Sequence, residues 1–137
     1  MKIKLAYILV LLLILPAAGF SQGRKTIKKK QISSQTVYEY FLEEGKKEPV
    51  IEQIQVYDTT GNVIELKEFN SEGLIKNWQK YSFDADDNKT EELHLDDRGK
   101  QLERTEWIYK NDLLVEKKYY DQKNRLVKRK EYKYKYR

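Results

Sequence analysis

The sequence predicts an all-β fold, an antiparallel β-hairpin meander of about eight strands, single-layered or strongly coiled, behind a signal peptide. Three observations predict it. Turn-forming residues recur at Gly61, Gly73, Asp87, Gly99, Asp112 and Asn124, with gaps of 12, 14, 12, 13 and 12 residues. Aliphatic residues follow these positions (Val63 and Ile64, Leu74 and Ile75, Leu102, Leu113 to Val115, Leu126 and Val127), while Phe69, Phe83, Leu95, Tyr109 and Tyr120 precede the next turn. No 3.6-residue apolar period persists, and a turn every dozen residues leaves no room for a long helix.

The chain opens MKIKLAYILVLLLILPAAGF. Lys2 and Lys4 give a positive start, Leu5 to Leu15 an apolar run, and Pro16, Ala17, Ala18 and Gly19 a small-residue close. This is the layout of a secretory signal peptide. The run is short for a bilayer span, which needs roughly 20 residues. Gly19 and Ser21 suit a peptidase site, so residues 1–21 are read as the leader, with cleavage after Ala18 or an uncleaved anchor as alternatives. Residues 22–31 (QGRKTIKKKQ) read as a basic flexible segment, and 32–137 as the hairpin-repeat domain.

Within that domain, residues 36–42 (TVYEYFL) and 49–57 (PVIEQIQVY) read as two strands around a loop at 43–48. The remaining strands lie between the recurring turns, YDTTGN, FNSEGL, FDADDN, LDDRGK, YKNDLL and YDQKNR. Gly, Asp and Asn suit hairpin turns because they tolerate positive φ or bond back to their own backbone. Tyr81 and Phe83 follow Gly73 by eight and ten residues; Trp107 and Tyr109 repeat these offsets from Gly99, and Tyr132 and Tyr134 from Asn124. The repeating unit is therefore two strands. Even spacing puts the two aromatics of each unit on one face, because strand side chains alternate. Phe69 is expected opposite Leu74 or Ile75, and Tyr120 opposite Leu126, with Leu126 a packing residue.

Composition removes most chemistry. The 137 residues include no cysteine and one histidine, which excludes disulfides, thiolate zinc sites, cysteine nucleophiles and lipid attachment through an N-terminal cysteine. His94 has neither a second His nor a Cys to complete a metal site. Asp84, Asp86, Asp87, Asp96 and Asp97 invite a calcium reading, but the glycine and closing glutamate of a calcium loop are missing, and turn chemistry explains them as well. Glu91–Glu92 and Glu103–Glu106 are more simply solvated strand faces than paired catalytic carboxylates. No nucleophile elbow, phosphate-binding loop or dinucleotide glycine pattern appears. The reading is a protein that is not an enzyme, with no cofactor and no metal.

The blocks YDTTGN, FDADDN and YDQKN, with tyrosines before the turns, resemble the YD repeats of Rhs-type bacterial surface and toxin proteins and the MORN-like hairpin repeats of small bacterial exported proteins. The resemblance covers residues 57–125, and weakly 32–137. It implies a short, non-toxin hairpin-repeat protein without catalytic residues. Six turns cannot enclose cargo as the long toxin shells do.

Two interaction features remain. The first is the aromatic row Tyr81, Phe83, Trp107, Tyr109, Tyr132 and Tyr134, with Trp78 nearby, read as binding residues; the plainer reading is the sheet's own packing. The second is the pair of basic ends, GRKTIKKK with five basic residues and KRKEYKYKYR with six against Glu131 alone, in a chain of 27 Lys+Arg and 22 Asp+Glu. These ends would make weak contacts with anionic surfaces, with no specific nucleic acid expected; the plainer reading is a solubilising tail and a lysine-protected edge. The expectation is an exported envelope protein, in the periplasm, at the cell surface or outside the cell, binding a protein or glycan through its sheet face. The alternative is a structural scaffold or assembly subunit pairing through edge strands.

Overall fold

Among the described residues, eight strands form one open antiparallel sheet in strict sequence order, preceded by one short helix. The computed structural model describes residues 23–43, 45 and 48–137, so the leader at 1–21 lies outside the described residues. The elements are α1 (Arg24–Lys29), β1 (Ser34–Glu39), β2 (Val50–Tyr57), β3 (Val63–Phe69), β4 (Ile75–Phe83), β5 (Lys89–Leu95), β6 (Gln101–Lys110), β7 (Leu113–Tyr120) and β8 (Leu126–Glu131). Every strand pairs only with its chain neighbours, and no second layer covers the sheet among the described residues. This is the hairpin meander that the turn spacing predicts.

The turns explain the regularity. All six recurring turn positions have positive φ, from 58° at Asn124 to 87° at Gly61. Five turns, beginning at Asp58, Asn70, Asp84, Asp96 and Asp121, share one construction. The first residue's side-chain oxygen accepts backbone N–H bonds from the third and fifth residues at 2.8–3.0 Å. The fourth residue's N–H donates to the first residue's carbonyl, and the first residue's N–H donates to the fifth residue's carbonyl. Asp or Asn is required at the first place as acceptor, and a residue tolerant of positive φ at the fourth. The sixth turn differs: Asn111 and Asp112, at φ 50° and 61°, join paired Lys110 and Leu113 as a two-residue turn.

Register follows from these turns. Phe69 pairs with Ile75 and Tyr120 with Leu126, as the cross-strand pattern predicts. Each of the seven pairings contains one register shift, so the sheet bends at every hairpin. Leu126 itself is 51% exposed, which removes it from the packing residues. Its strand is the edge of the sheet among the described residues.

Among the described residues the core is correspondingly small: Ile27, Tyr57 and Leu95, with Asn62 a buried polar side chain. Ile27 belongs to the segment expected to be flexible. Instead residues 24–29 form α1, which packs over the turn between β2 and β3. Six residues are too few for a helix to persist alone, so α1 is held by tertiary contact. Ile27 is buried to 1% exposure, Arg24 Nε donates to the Thr60 carbonyl at 3.1 Å, and the Tyr57 N–H reaches the Ser33 carbonyl just beyond the helix. Lys28 and Lys29 lie in its last turn, where their charge suits the helix dipole.

Candidate functional site

Cross-strand partners share a face, which assigns the paired side chains of the sheet. Gln55, Leu66 and Gln79 stand opposite one another in succession, as do Tyr81, Glu92, Thr105, Tyr119 and Lys128. Alternation adds Phe83, Trp107 and Tyr109 to this first face. Four of the expected binding residues, Tyr81, Phe83, Trp107 and Tyr109, are therefore brought together, and all four are half-buried. Tyr132 and Tyr134 lie past the end of β8; the Tyr132 N–H donates to the Val115 carbonyl, and the Tyr134 hydroxyl donates to the Leu114 carbonyl at 2.7 Å.

Trp78 corrects the expected grouping. It sits three residues before Tyr81, an odd spacing, so it points to the second face. There its Nε1 donates to Glu65 at 2.7 Å, Lys67 lies 4.1 Å from the ring centroid, and the turn at Gly99 closes over it. Trp78 therefore stands on the opposite face from the aromatic row, between Lys67 and Leu95.

The row is not a bare stacking platform either. Lysines from neighbouring strands lie beside its rings. Lys89 reaches Tyr81 at 5.2 Å and Trp107 at 4.6 Å, and Lys117 reaches Trp107 at 4.8 Å. The pattern continues to Tyr119, with Lys117 at 5.0 Å, Lys128 at 4.0 Å and Lys130 at 5.9 Å. Rings and ammonium groups thus alternate from β4 to β8 across the first face, each contact favourable by about 0.5–1 kcal/mol at an exposed site. Tyr119 and its lysines were not singled out from sequence as a site. The signal was the two-residue alternation Lys117-x-Tyr119 and Lys128-x-Lys130, which places all four on one face.

The face is electrically graded. Burial pushes the Tyr81 phenol up to about 12, with Glu92 and Glu68 adding to the shift. The Tyr119 phenol moves the other way: its hydrogen bond with Lys117 lowers its pKa, a little desolvation opposes this, and the charges of Lys117, Lys130 and Lys128 add to the lowering. On the second face at the same strands, the charges are paired. Arg104 bridges Glu91 and Glu106 while its guanidinium lies 3.9 Å from the Tyr120 centroid, and Arg129 bridges Glu116 and Glu131 at 3.3 and 3.1 Å.

No family model, no curated protein and no solved structure matches the chain.

Three of the five carboxylates that invited a calcium reading have structural work. Asp84 and Asp96 organise their own turns. Asp87 joins two turns: it pairs with Arg24 of α1 and accepts from Thr60 at 3.0 Å and Asn62 at 2.8 Å. Among the described residues no group of three His, Asp or Glu side chains is placed to hold a metal ion. His94 faces Gln79 and Glu103 across the sheet.

Hydrogen bonds hold several of these carboxyls below the ordinary range. At Asp87 the Asn62 amide leads, with Arg24 and Thr60 adding, and together they outweigh desolvation. At Asp58 burial raises the pKa, and bonds from Thr60 and Asn62 more than reverse it. At Asp121 the Arg125 side chain leads. A carboxyl whose folded pKa is depressed stabilises the fold above its unfolded value and loses that contribution as pH falls through the folded one. The melting temperature is therefore expected to be flat above about pH 5 and to drop below about pH 4, near the unfolded aspartate pKa. Thermal unfolding between pH 2 and 7 checks this; an equal melting temperature at pH 3 and pH 7 contradicts it.

Proposed function

We propose that the protein is an exported, non-catalytic envelope protein that binds a protein or a glycan through the first face of its sheet. One observation carries the reading: Tyr81, Phe83, Trp107 and Tyr109 share one face of a sheet that no second layer covers among the described residues. Half-buried aromatics flanked by lysines offer apolar area and hydrogen-bond donors together, the mixture typical of recognition surfaces. Export is read from the leader at residues 1–21, and kinship with YD-repeat or MORN-like hairpin proteins from the turn motifs. Among the described residues no helix is long and apolar enough to cross a membrane.

The scaffold alternative needs strand edges that pair. The β8 edge presents Lys128, Arg129 and Lys130, and β1 has a register shift between Val37 and Tyr38. Charge and bulges on edges oppose pairing with another chain.

The test compares the full chain with Trp107→Ala and Tyr81→Ala in retention on immobilised glycans and in pull-down of envelope proteins. Both variants are expected to lose retention. Their stability loss should stay below the roughly 3–5 kcal/mol of a fully buried ring, because each is only half-covered. Variants that unfold as readily as Ile27→Ala yet bind as before would make the rings packing residues and favour the scaffold.

A further inference from the structure

On β7 and β8 the first face carries a feature that costs stability. Lys117 stands directly opposite Lys130, and Tyr119 directly opposite Lys128. Like charges directly across a strand pair repel. No carboxylate relieves them: among the described residues, Lys117, Lys128 and Lys130 make no ion pair, although Lys118, Arg129 and Arg104 on the reverse face are all paired. Two carboxylates, Glu103 and Asp121, line the hollow beside Tyr119 and Lys128; neither bridges to Lys117, Lys128 or Lys130, and Asp121 pairs with Arg125 instead. Local rules broken in an otherwise consistent sequence mark functional positions.

We infer that Lys117, Lys128 and Lys130, gathered around Tyr119, form a binding site for the anionic groups of an acidic polysaccharide. The inference rests on the binding-face reading above and names the ligand class for it. The Tyr119 ring holds the three ammonium groups within 6 Å of its centroid, so part of their rotamer freedom is already lost before a ligand arrives. Anions spaced along a chain would sit between the ammonium groups and cancel the repulsion between Lys117 and Lys130. Two other polyanions fit less well. Single-stranded nucleic acid gains affinity by stacking bases on open aromatic faces, and Lys128 lies over the Tyr119 ring at 4.0 Å from its centroid, where a base would stack. An anionic membrane needs apolar side chains to enter the interface, and the centre of this patch is a tyrosine between ammonium groups.

The test uses the full chain and polygalacturonate, with neutral dextran, a phosphate-bearing polysaccharide, single-stranded DNA and phosphatidylserine vesicles as comparison probes. Binding to polygalacturonate is expected, weakening as salt rises, with dextran not retained. Lys117→Gln with Lys130→Gln should weaken it at least tenfold while leaving the melting temperature unchanged or raised. Lys118→Gln, which removes the same charge from the reverse face, should leave it unchanged. Tighter binding of the phosphate-bearing polysaccharide would place phosphate rather than carboxylate in the site and keep the inference. Tighter binding of DNA or vesicles, or an equal loss in Lys118→Gln, would overturn it. If polygalacturonate fails while a protein or neutral glycan is retained in a Trp107-dependent way, this inference falls and the binding-face reading stands. Retention of polygalacturonate that is unaffected by Lys117→Gln with Lys130→Gln and also by Trp107→Ala overturns both.

Discussion

Gly61→Val is expected to destabilise the protein by about 2–5 kcal/mol, which would unfold much of a marginally stable chain. Two costs add. Gly61 has φ +87°, a conformation that costs an L-residue roughly 1–2 kcal/mol and is worst for a β-branched side chain. A Cβ there would also lie 2.6 Å from the Arg24 carbonyl oxygen and 3.3 Å from the Lys28 nitrogen, both backbone atoms of α1. Neither can swing aside as a side-chain tip would, so α1 must lift and Ile27 must be uncovered. Gly73→Val separates the two costs. Gly73 has φ +80° but open space within 4 Å, so only the conformational part is expected. Denaturant unfolding of both variants decides the matter. Equal losses would mean that α1 does not press on the Gly61 turn in solution.

Ile27→Ala is the second large effect, with an expected loss of about 2–5 kcal/mol for a fully buried aliphatic side chain. Ile27 is the most buried side chain described, at 1% exposure, in a protein with few buried side chains to share the load. The comparison is Leu126→Ala, whose side chain is half exposed and should cost far less. Hydrogen exchange adds a local readout: freeing α1 should speed exchange of the Tyr57 N–H, which donates to the Ser33 carbonyl. If Ile27→Ala costs no more than Leu126→Ala, α1 is not docked in solution, and residues 22–31 behave as the flexible segment that their basic composition predicts.

The hairpin repeat was legible because its causes are local. An Asp or Asn acceptor followed three residues later by a residue tolerant of positive φ closes a turn within five residues, and the chain repeats this five times. Between the register shifts the face of a strand residue follows by counting in twos, which is why Tyr81, Phe83, Trp107 and Tyr109 fall on one face. Counting was also sufficient to separate Trp78 from them, since its spacing to Tyr81 is odd. The helix α1 was not legible, because six residues rich in lysine have no lasting helical preference of their own.

What the sequence by itself determined about this protein is the meander: its strand order, its turns and the alternation of faces, all set by interactions within a few residues. Only the tertiary structure decided which turn α1 caps, since that depends on Gly61 leaving room for the Arg24 carbonyl, 37 residues away in the chain. It alone showed that Asp87 ties α1 to two turns. It also decided the charge pattern of the faces. Whether a lysine finds a carboxylate depends on register across strands, and the register shifts place Lys117 against Lys130 on one face while Arg129 meets Glu116 and Glu131 on the other.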